Sequence, residues 1–263
     1  MKTLSRTSQD ANPASPLARW RAESLRAITL AKSNSASTLR ERTIEGLHEA
    51  LLKKVKSLPH ITPDTPILDI GCGSGAWMNR LAANGFAVLH GVDGDTEQFA
   101  GERGTCSAVS LDTDVDLGLG DRKFGLITSI ELIEHLENPG TLFFHVARHL
   151  SDDGVFLMTT PNIHSLPCRL RFLLTGKLKD FDSKGDQTHI YPVLLTSLQR
   201  ILPRHGLRIV DKWPYPANGR STTWRPVFKL AASVLGWILP NDDPGDILCL
   251  MVRKDAVPDP ARY

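Results

Sequence analysis

The 263-residue sequence predicts an α/β fold, a seven-stranded and mostly parallel sheet with helices on both faces, preceded by a helical N-terminal extension. Three observations predict it. From residue 66 onward, short apolar runs alternate with amphipathic segments, the order that places crossover helices between parallel strands. The first of these runs ends in a turn with glycines at 71, 73 and 75 and passes directly into a helical pattern. A composition of 41% hydrophobic and 23% charged residues over this length suffices for one full core.

Residues 1–16 carry few large apolar groups and are expected to form a disordered tail, with no continuous apolar segment of the signal-peptide kind. Apolar residues then recur at helical spacing over 17–31 and 38–58. PILDI (66–70) is the first strand, 75–84 a helix, and FAVLHGV (86–92) the second strand. CSAVSL (106–111), FGLITSI (124–130) and VFLMTT (155–160) follow as strands, with a helix over 139–149 before the last of them. LRIVDKW (207–213) and DILCLMVR (246–253) complete the sheet. The boundaries are therefore a tail over 1–16, a helical extension over 17–59, the main domain over 60–255 and a short tail over 256–263.

Between the last two strands, WRPVFKLAASVLGWIL (224–239) has helical periodicity, with Val227, Leu230, Ala231, Val234, Leu235 and Ile238 on one face. Its apolar arc is broad, two tryptophans flank it, and Arg225 and Lys229 lie opposite, which suits peripheral contact with a membrane surface. Packing into the domain or against a second subunit is the alternative. At about 24 Å such a helix is too short to span a bilayer.

Net charge is +2 with a pI near 8.4, although residues 1–60 hold 11 Lys and Arg against 5 Asp and Glu. That imbalance is what a solvated helical face produces, and it is too mild to indicate a nucleic-acid partner. Cys72, Cys106, Cys168 and Cys249 are scattered, with no C-x-x-C pair and no histidines at zinc-finger spacing. A reducing cytoplasmic location follows, with the inner membrane face as a peripheral site.

The chemistry concentrates in ILDIGCGSGAW (67–77). Gly71, Gly73 and Gly75 allow a sharp turn and close approach to a ligand, and the helix that follows presents free N–H groups. Gly71, Gly73 and Ala76 also satisfy the nicotinamide fingerprint, and Asp93 stands where a ribose-binding acid belongs. Asp69 separates the two readings. A carboxylate two residues before the first glycine would repel a pyrophosphate, but it favours a ligand with a sulfonium and an ammonium, such as S-adenosylmethionine (SAM). Asp69 could also brace the turn by accepting backbone N–H bonds, which is compatible with that ligand.

With GVDGD (91–95), FGLITSIELIEHL (124–136) and LSDDGVFLMTTPN (150–162) in order, residues 60–255 resemble the class I SAM-dependent methyltransferases, whose fold is Rossmann-like. The resemblance is strongest to the E-x-x-E-H branch, which includes ubiquinone-pathway O-methyltransferases and enzymes of bacterial surface-glycan clusters. It implies that Gly71, Gly73 and Gly75 lie beneath the methionine part of the cofactor, with Asp69 near its amino group. Asp93 would hold both ribose hydroxyls and Asp112 the adenine amino group, with Asp114 and Asp116 as competitors.

The resemblance further implies that Glu131, Glu134 and His135 could bind a divalent cation such as Mg²⁺ that holds an acceptor hydroxyl. Alternatively, Glu134 and His135 cap the next turn while Glu131 touches the cofactor. His189 is a fourth ligand, a general base or a structural residue, and His135 and His189 are the candidate catalytic bases. Arg169, Arg171, Lys177 and Lys179 lie where this family inserts acceptor-binding elements; an acceptor phosphate or a solvated helix face explains them equally. The expected function is methyl transfer to a small-molecule, glycan or lipid-linked acceptor, most simply at a hydroxyl. N-P-P-Y, the mark of nucleic-acid N-methylation, is replaced by SIEL. A non-catalytic SAM-binding module and a nicotinamide oxidoreductase are the rivals, and oligomeric state is left open.

Overall fold

A computed structural model of the chain describes residues 39, 41–113, 116–183, 185–216, 230, 234 and 244–255. The chain divides into two compact units, 1–38 and 39–263, and all described residues belong to the second. The tails over 1–16 and 256–263, the expected helix over 17–31 and most of 224–239 lie outside the described residues. Within 224–239, Leu230 and Val234 are described; both are helical and exposed.

The expected 38–58 helix is realised as α1, Leu47–Lys56. Gly46 stops it on the N-terminal side, in a left-handed conformation at φ 81°, where an added Cβ would lie 2.5 Å from the Tyr215 hydroxyl. Leu47, Leu51 and Val55, at i, i+4 and i+8, are fully buried on one stripe. Strand β1 is Ile67–Ile70, α2 is Ala76–Ala83 and β2 is Leu89–Asp93. Then follow β3 at Thr105–Ala108, β4 at Phe124–Ile130, α3 at Pro139–His149 and β5 at Leu150–Pro161. Helices α4 (Leu166–Thr175) and α5 (Leu195–Ile201) precede β6 (Leu207–Tyr215) and β7 (Ile247–Lys254). The start of α3 is set locally by Asn138, whose side chain accepts from Gly140 N at 3.2 Å, and by Pro139 in the first turn.

Two strands are shorter than their apolar runs. Phe86 in the second run packs into the core beside α2, and pairing with β1 begins only at Leu89 opposite Ile67. The third ends at Ala108, after which Val109 and Leu111 turn inward to the core.

The sheet order is β3-β2-β1-β4-β5-β7-β6. The first five strands pair in parallel, whereas β7 lies antiparallel between β5 and β6. One core packs Leu68, Ile70, Ile127, Phe156 and Met158 against Phe143, Val146 and Leu198 of α3 and α5. The other packs Ile67, Leu126, Val155 and Leu157 against Leu51, Val55, Trp77 and Leu81 of α1 and α2. Consecutive strand residues thus enter opposite cores, which is why these strands read as unbroken apolar runs. Among the described residues, no helix is long and apolar enough to cross a membrane.

Candidate functional site

The chain leaves β1 toward β2 on one side and returns to β4 on the other, so the ends of β1 and β4 flank a topological switch point. Ligands of open α/β sheets bind in the crevice at such a point, and the expected site residues gather there.

The glycine loop follows β1. Gly71 N and Cys72 N both donate to the Val92 carbonyl, at 2.8 and 3.2 Å, which bends the loop over the end of β2. At Gly71 φ is 80° and an added Cβ would meet the Leu132 side chain at 2.8 Å, so backbone conformation and packing together favour glycine there. Gly73 differs: φ is 51°, yet no protein atom lies within 4 Å of where its Cβ would stand. Its missing side chain therefore opens onto free space, as a ligand cradle requires.

Asp93 ends β2 and holds this loop. Its Oδ2 accepts from Gly73 N at 2.8 Å and its Oδ1 from Asp95 N at 2.9 Å. Each oxygen keeps a second lone pair for a ligand hydroxyl. Asp69 is buried and accepts from the Thr128 hydroxyl at 2.7 Å, and that hydroxyl oxygen in turn accepts from Trp77 Nε1 at 3.2 Å. Among the described residues Asp69 takes no backbone N–H bond, so its bracing runs across to β4 and α2 and not to the loop. Burial, opposed by the Thr128 bond and reinforced by the Asp93 charge, pushes its carboxyl up to about 7.

Asp112 is exposed, and its Oδ1 accepts from Glu137 N at 2.9 Å and Asn138 N at 3.2 Å, tying the end of the third-strand segment to the entry of α3. Of its competitors, Asp114 lies outside the described residues, and Asp116 is paired with Arg148 at 3.3 Å.

Beyond β4, Glu131 adopts φ 50°, a left-handed conformation costly for a side-chain-bearing residue and concentrated at functional sites. Its Oε1 accepts from Thr159 at 2.9 Å, and desolvation, against that bond, pushes its carboxyl up to about 7. Glu134 is fully buried in the short turn Ile133–His135; Oε2 accepts from Thr160 at 3.2 Å, while Oε1 is buried without a hydrogen-bond partner among the described residues. Burial, with the Glu131 charge adding, raises its carboxyl well above the usual range.

The Glu134 carbonyl accepts from Ile190 N at 2.8 Å and Tyr191 N at 2.9 Å, which staples the 186–191 segment onto this turn. His189 is thereby brought edge-on to His135, with ring centroids 4.7 Å apart. Burial and then the neighbouring His189 lower the His135 imidazole below its ordinary value, favouring its neutral form.

Ligand atoms of Glu134, His135 and His189 lie within 4.8 Å of one another. With Glu134 Oε1 and the buried Nδ1 of His189 both lacking a hydrogen-bond partner among the described residues, this donor set fits a divalent cation. Glu131, expected in that set, is turned to Thr159, and His189 takes its place in the cluster. Of the four basic residues after β5, Arg171 pairs with Asp182 and Lys179 with Asp180, whereas Arg169 and Lys177 are exposed.

Sequence reasoning missed Thr128, Thr159, Thr160 and Thr188, which bond to Asp69, Glu131, Glu134 and His135 in turn, and Asp186, which accepts from Thr188. A signal existed for two of them, since adjacent threonines inside the apolar VFLMTTP run are polar groups that need a partner. Cys72 and Cys106, far apart in sequence, bring their free thiols to 3.2 Å.

A family model described as a methyltransferase domain matches residues 36–212. A ubiquinone biosynthesis O-methyltransferase of Bartonella quintana is 28% identical over 166 residues, which cover 60% of this chain and 66% of that protein. A cyclopropane-fatty-acyl-phospholipid synthase of Escherichia coli is 31% identical over 124 residues, covering 44% and 31%. The chain thus spans less than two thirds of the length of these curated relatives. A SAM-dependent methyltransferase structure from Archaeoglobus fulgidus superposes with a TM-score of 0.53 at 17% identity, covering 79% of this chain and 94% of that one, a likeness of fold. The sheet order, the glycine loop with its aspartates and the family match over most of the length lead to one conclusion: the chain belongs to the SAM-dependent methyltransferases.

Proposed function

We propose that the chain transfers a methyl group from SAM to a hydroxyl of a small-molecule, glycan or lipid-linked acceptor, with His135 removing the hydroxyl proton. One observation carries this reading: a partly buried imidazole stands past the end of β4, on the same edge of the sheet as the glycine loop, where burial lowers its pKa. SAM supplies a methyl group made electrophilic by its sulfonium. Asp93 accepts from the ribose hydroxyls, Asp69 faces the ammonium, and Asp112 takes the adenine amino group. The protein's main contribution is to align acceptor oxygen and methyl carbon and to exclude water. His135 takes the proton as the oxygen attacks, a step that general bases accelerate by about 10²–10⁴.

The hydroxyl target is supported by the similarity to a protein named as an O-methyltransferase. The lipid-linked alternative is supported by the exposed Phe172, Leu173 and Leu174 at the tip of α4 and by the similarity to a protein named for a phospholipid product. The 224–239 segment remains a candidate for peripheral membrane contact.

A second reading is favoured by the cluster itself. Glu134, His135 and His189 would hold a divalent cation, which would lower the pKa of a bound hydroxyl in place of a base. One experiment addresses both readings: release of S-adenosylhomocysteine across a panel of phenolic, glycosidic and lipid-linked hydroxyl compounds, with and without chelator. Full turnover after chelation selects the base, and turnover restored by Mg²⁺ or Mn²⁺ selects the cation. SAM binding without release of S-adenosylhomocysteine for any hydroxyl compound would sink the O-methylation reading.

Cofactor binding should also depend on pH. Because the folded Asp69 carboxyl is raised from 3.8 to about 7, its contribution to the ligand-free fold is fully present below about 3.8 and is lost progressively as pH rises to about 7. A bound ammonium favours the ionised form, so SAM affinity is expected to rise from pH ~5.5 to pH ~7, by up to about tenfold per unit for one proton. Calorimetric titration at several pH values measures this. A flat profile would place Asp69 outside the cofactor's contacts.

A further inference from the structure

The 186–191 segment does more than deliver His189 to the site. His135 Nδ1 lies 2.8 Å from the Thr188 hydroxyl oxygen and 3.2 Å from the Thr188 carbonyl oxygen. A carbonyl oxygen only accepts, so this approach is favourable only when Nδ1 carries the hydrogen. The Thr188 hydroxyl has one proton, and Asp186 Oδ1 takes it at 2.6 Å. An exposed carboxylate is ordinarily ionised at neutral pH and has no proton to give. Were the hydroxyl proton turned toward His135, lone pairs would face each other across the 2.6 Å contact with Asp186. Asp186 is itself anchored, since the same Oδ1 accepts from Thr188 N at 2.9 Å in an Asx-turn. The donors therefore run in one direction, from imidazole to hydroxyl to carboxylate.

We infer that Thr188 and Asp186 are positioning residues that hold His135 in the Nδ1–H tautomer and so leave Nε2 as its basic atom. Which ring nitrogen is protonated is set by the hydrogen bond the other makes, and here the bond falls on Nδ1. The Nε2–H tautomer, which predominates for an unconstrained histidine side chain in water, would present a donor where an acceptor hydroxyl must lose its proton. The inference rests on the reading of His135 as base or ligand, and it deepens that reading by naming the atom. The arrangement follows the logic of a base oriented by an acid behind it, with a hydroxyl interposed. As Nε2 takes a proton, the positive ring keeps its Nδ1–H bond to Thr188, with the Asp186 charge beyond it.

The test is long-range ¹H–¹⁵N NMR on the full chain labelled at histidine nitrogens, kept in chelator, with His135 assigned by comparison with His135→Gln. The wild type is expected to show a protonated Nδ1 and an unprotonated Nε2. Thr188→Val removes the 2.8 Å hydroxyl contact and leaves only the longer carbonyl contact at 3.2 Å, so part of the signal is expected to move toward Nε2–H, whereas Thr188→Ser restores the original pattern. Asp186→Ala frees the hydroxyl to donate to Nδ1 and is expected to shift the tautomer in the same direction as Thr188→Val. An Nε2–H pattern in the wild type, or an unchanged pattern in Thr188→Val or Asp186→Ala, would overturn the inference. SAM titration of the same samples is the separate control: failure of the wild type to bind SAM faults the proposed function and leaves the tautomer result standing.

Discussion

Replacing Asp93 with alanine is expected to weaken SAM binding about a hundredfold, on the order of 3 kcal/mol, the value of two charge-assisted hydrogen bonds. The structure strengthens the reason. The Asp93 carboxylate is the group to which Gly73 N and Asp95 N both donate, so its removal also releases the glycine loop. The Asp93→Asn variant keeps one acceptor oxygen and is expected to lose about tenfold. Calorimetric titration measures both, with circular dichroism to establish that the variants fold. An Asp93→Ala protein that folds and binds SAM at wild-type affinity would move the cofactor away from the β1–β2 crevice.

His135→Ala is expected to lower turnover by about 10²–10⁴ while leaving SAM affinity within about twofold. The separation follows from position. His135 sits in the turn after β4 and bonds to Thr188, whereas the cofactor contacts proposed above come from the glycine loop, Asp69 and Asp93. Single-turnover release of S-adenosylhomocysteine, with the acceptor found in the panel, reports the chemical step. An equal loss of SAM affinity would mean that the residue supports the cofactor pocket instead. Wild-type turnover would pass the base role to His189, whose buried Nδ1 has no hydrogen-bond partner among the described residues.

Much of the fold is legible in the sequence because it is written locally. FGLITSI and the helix over 139–149 appear with the predicted limits, since one is an unbroken apolar run and the other has its own Asn-Pro start signal. The glycine loop is equally local. Positive φ at residues 71, 73 and 75 can be met cheaply only by glycine, and the spacing to Asp93 is fixed by one helix and one strand. These features determined the fold class from sequence alone and singled out the residues proposed to hold the cofactor.

The partners of the acids and imidazoles were decided by tertiary structure. Thr128 reaches Asp69 because β4 pairs with β1 in a register that sets the two residues side by side, 59 positions apart in the chain. Thr188 and His189 reach His135 because two backbone N–H groups of the following residues find the Glu134 carbonyl. The antiparallel seat of β7 between β5 and β6 has the same origin, since a strand buried on both faces carries the same apolar run whichever way it points. Sequence periodicity reports which residues are buried, whereas partners that meet through sheet register and loop closure leave no periodic mark. Hence the acids and imidazoles could be named from the chain, but the hydroxyls that orient them appeared only once it was folded.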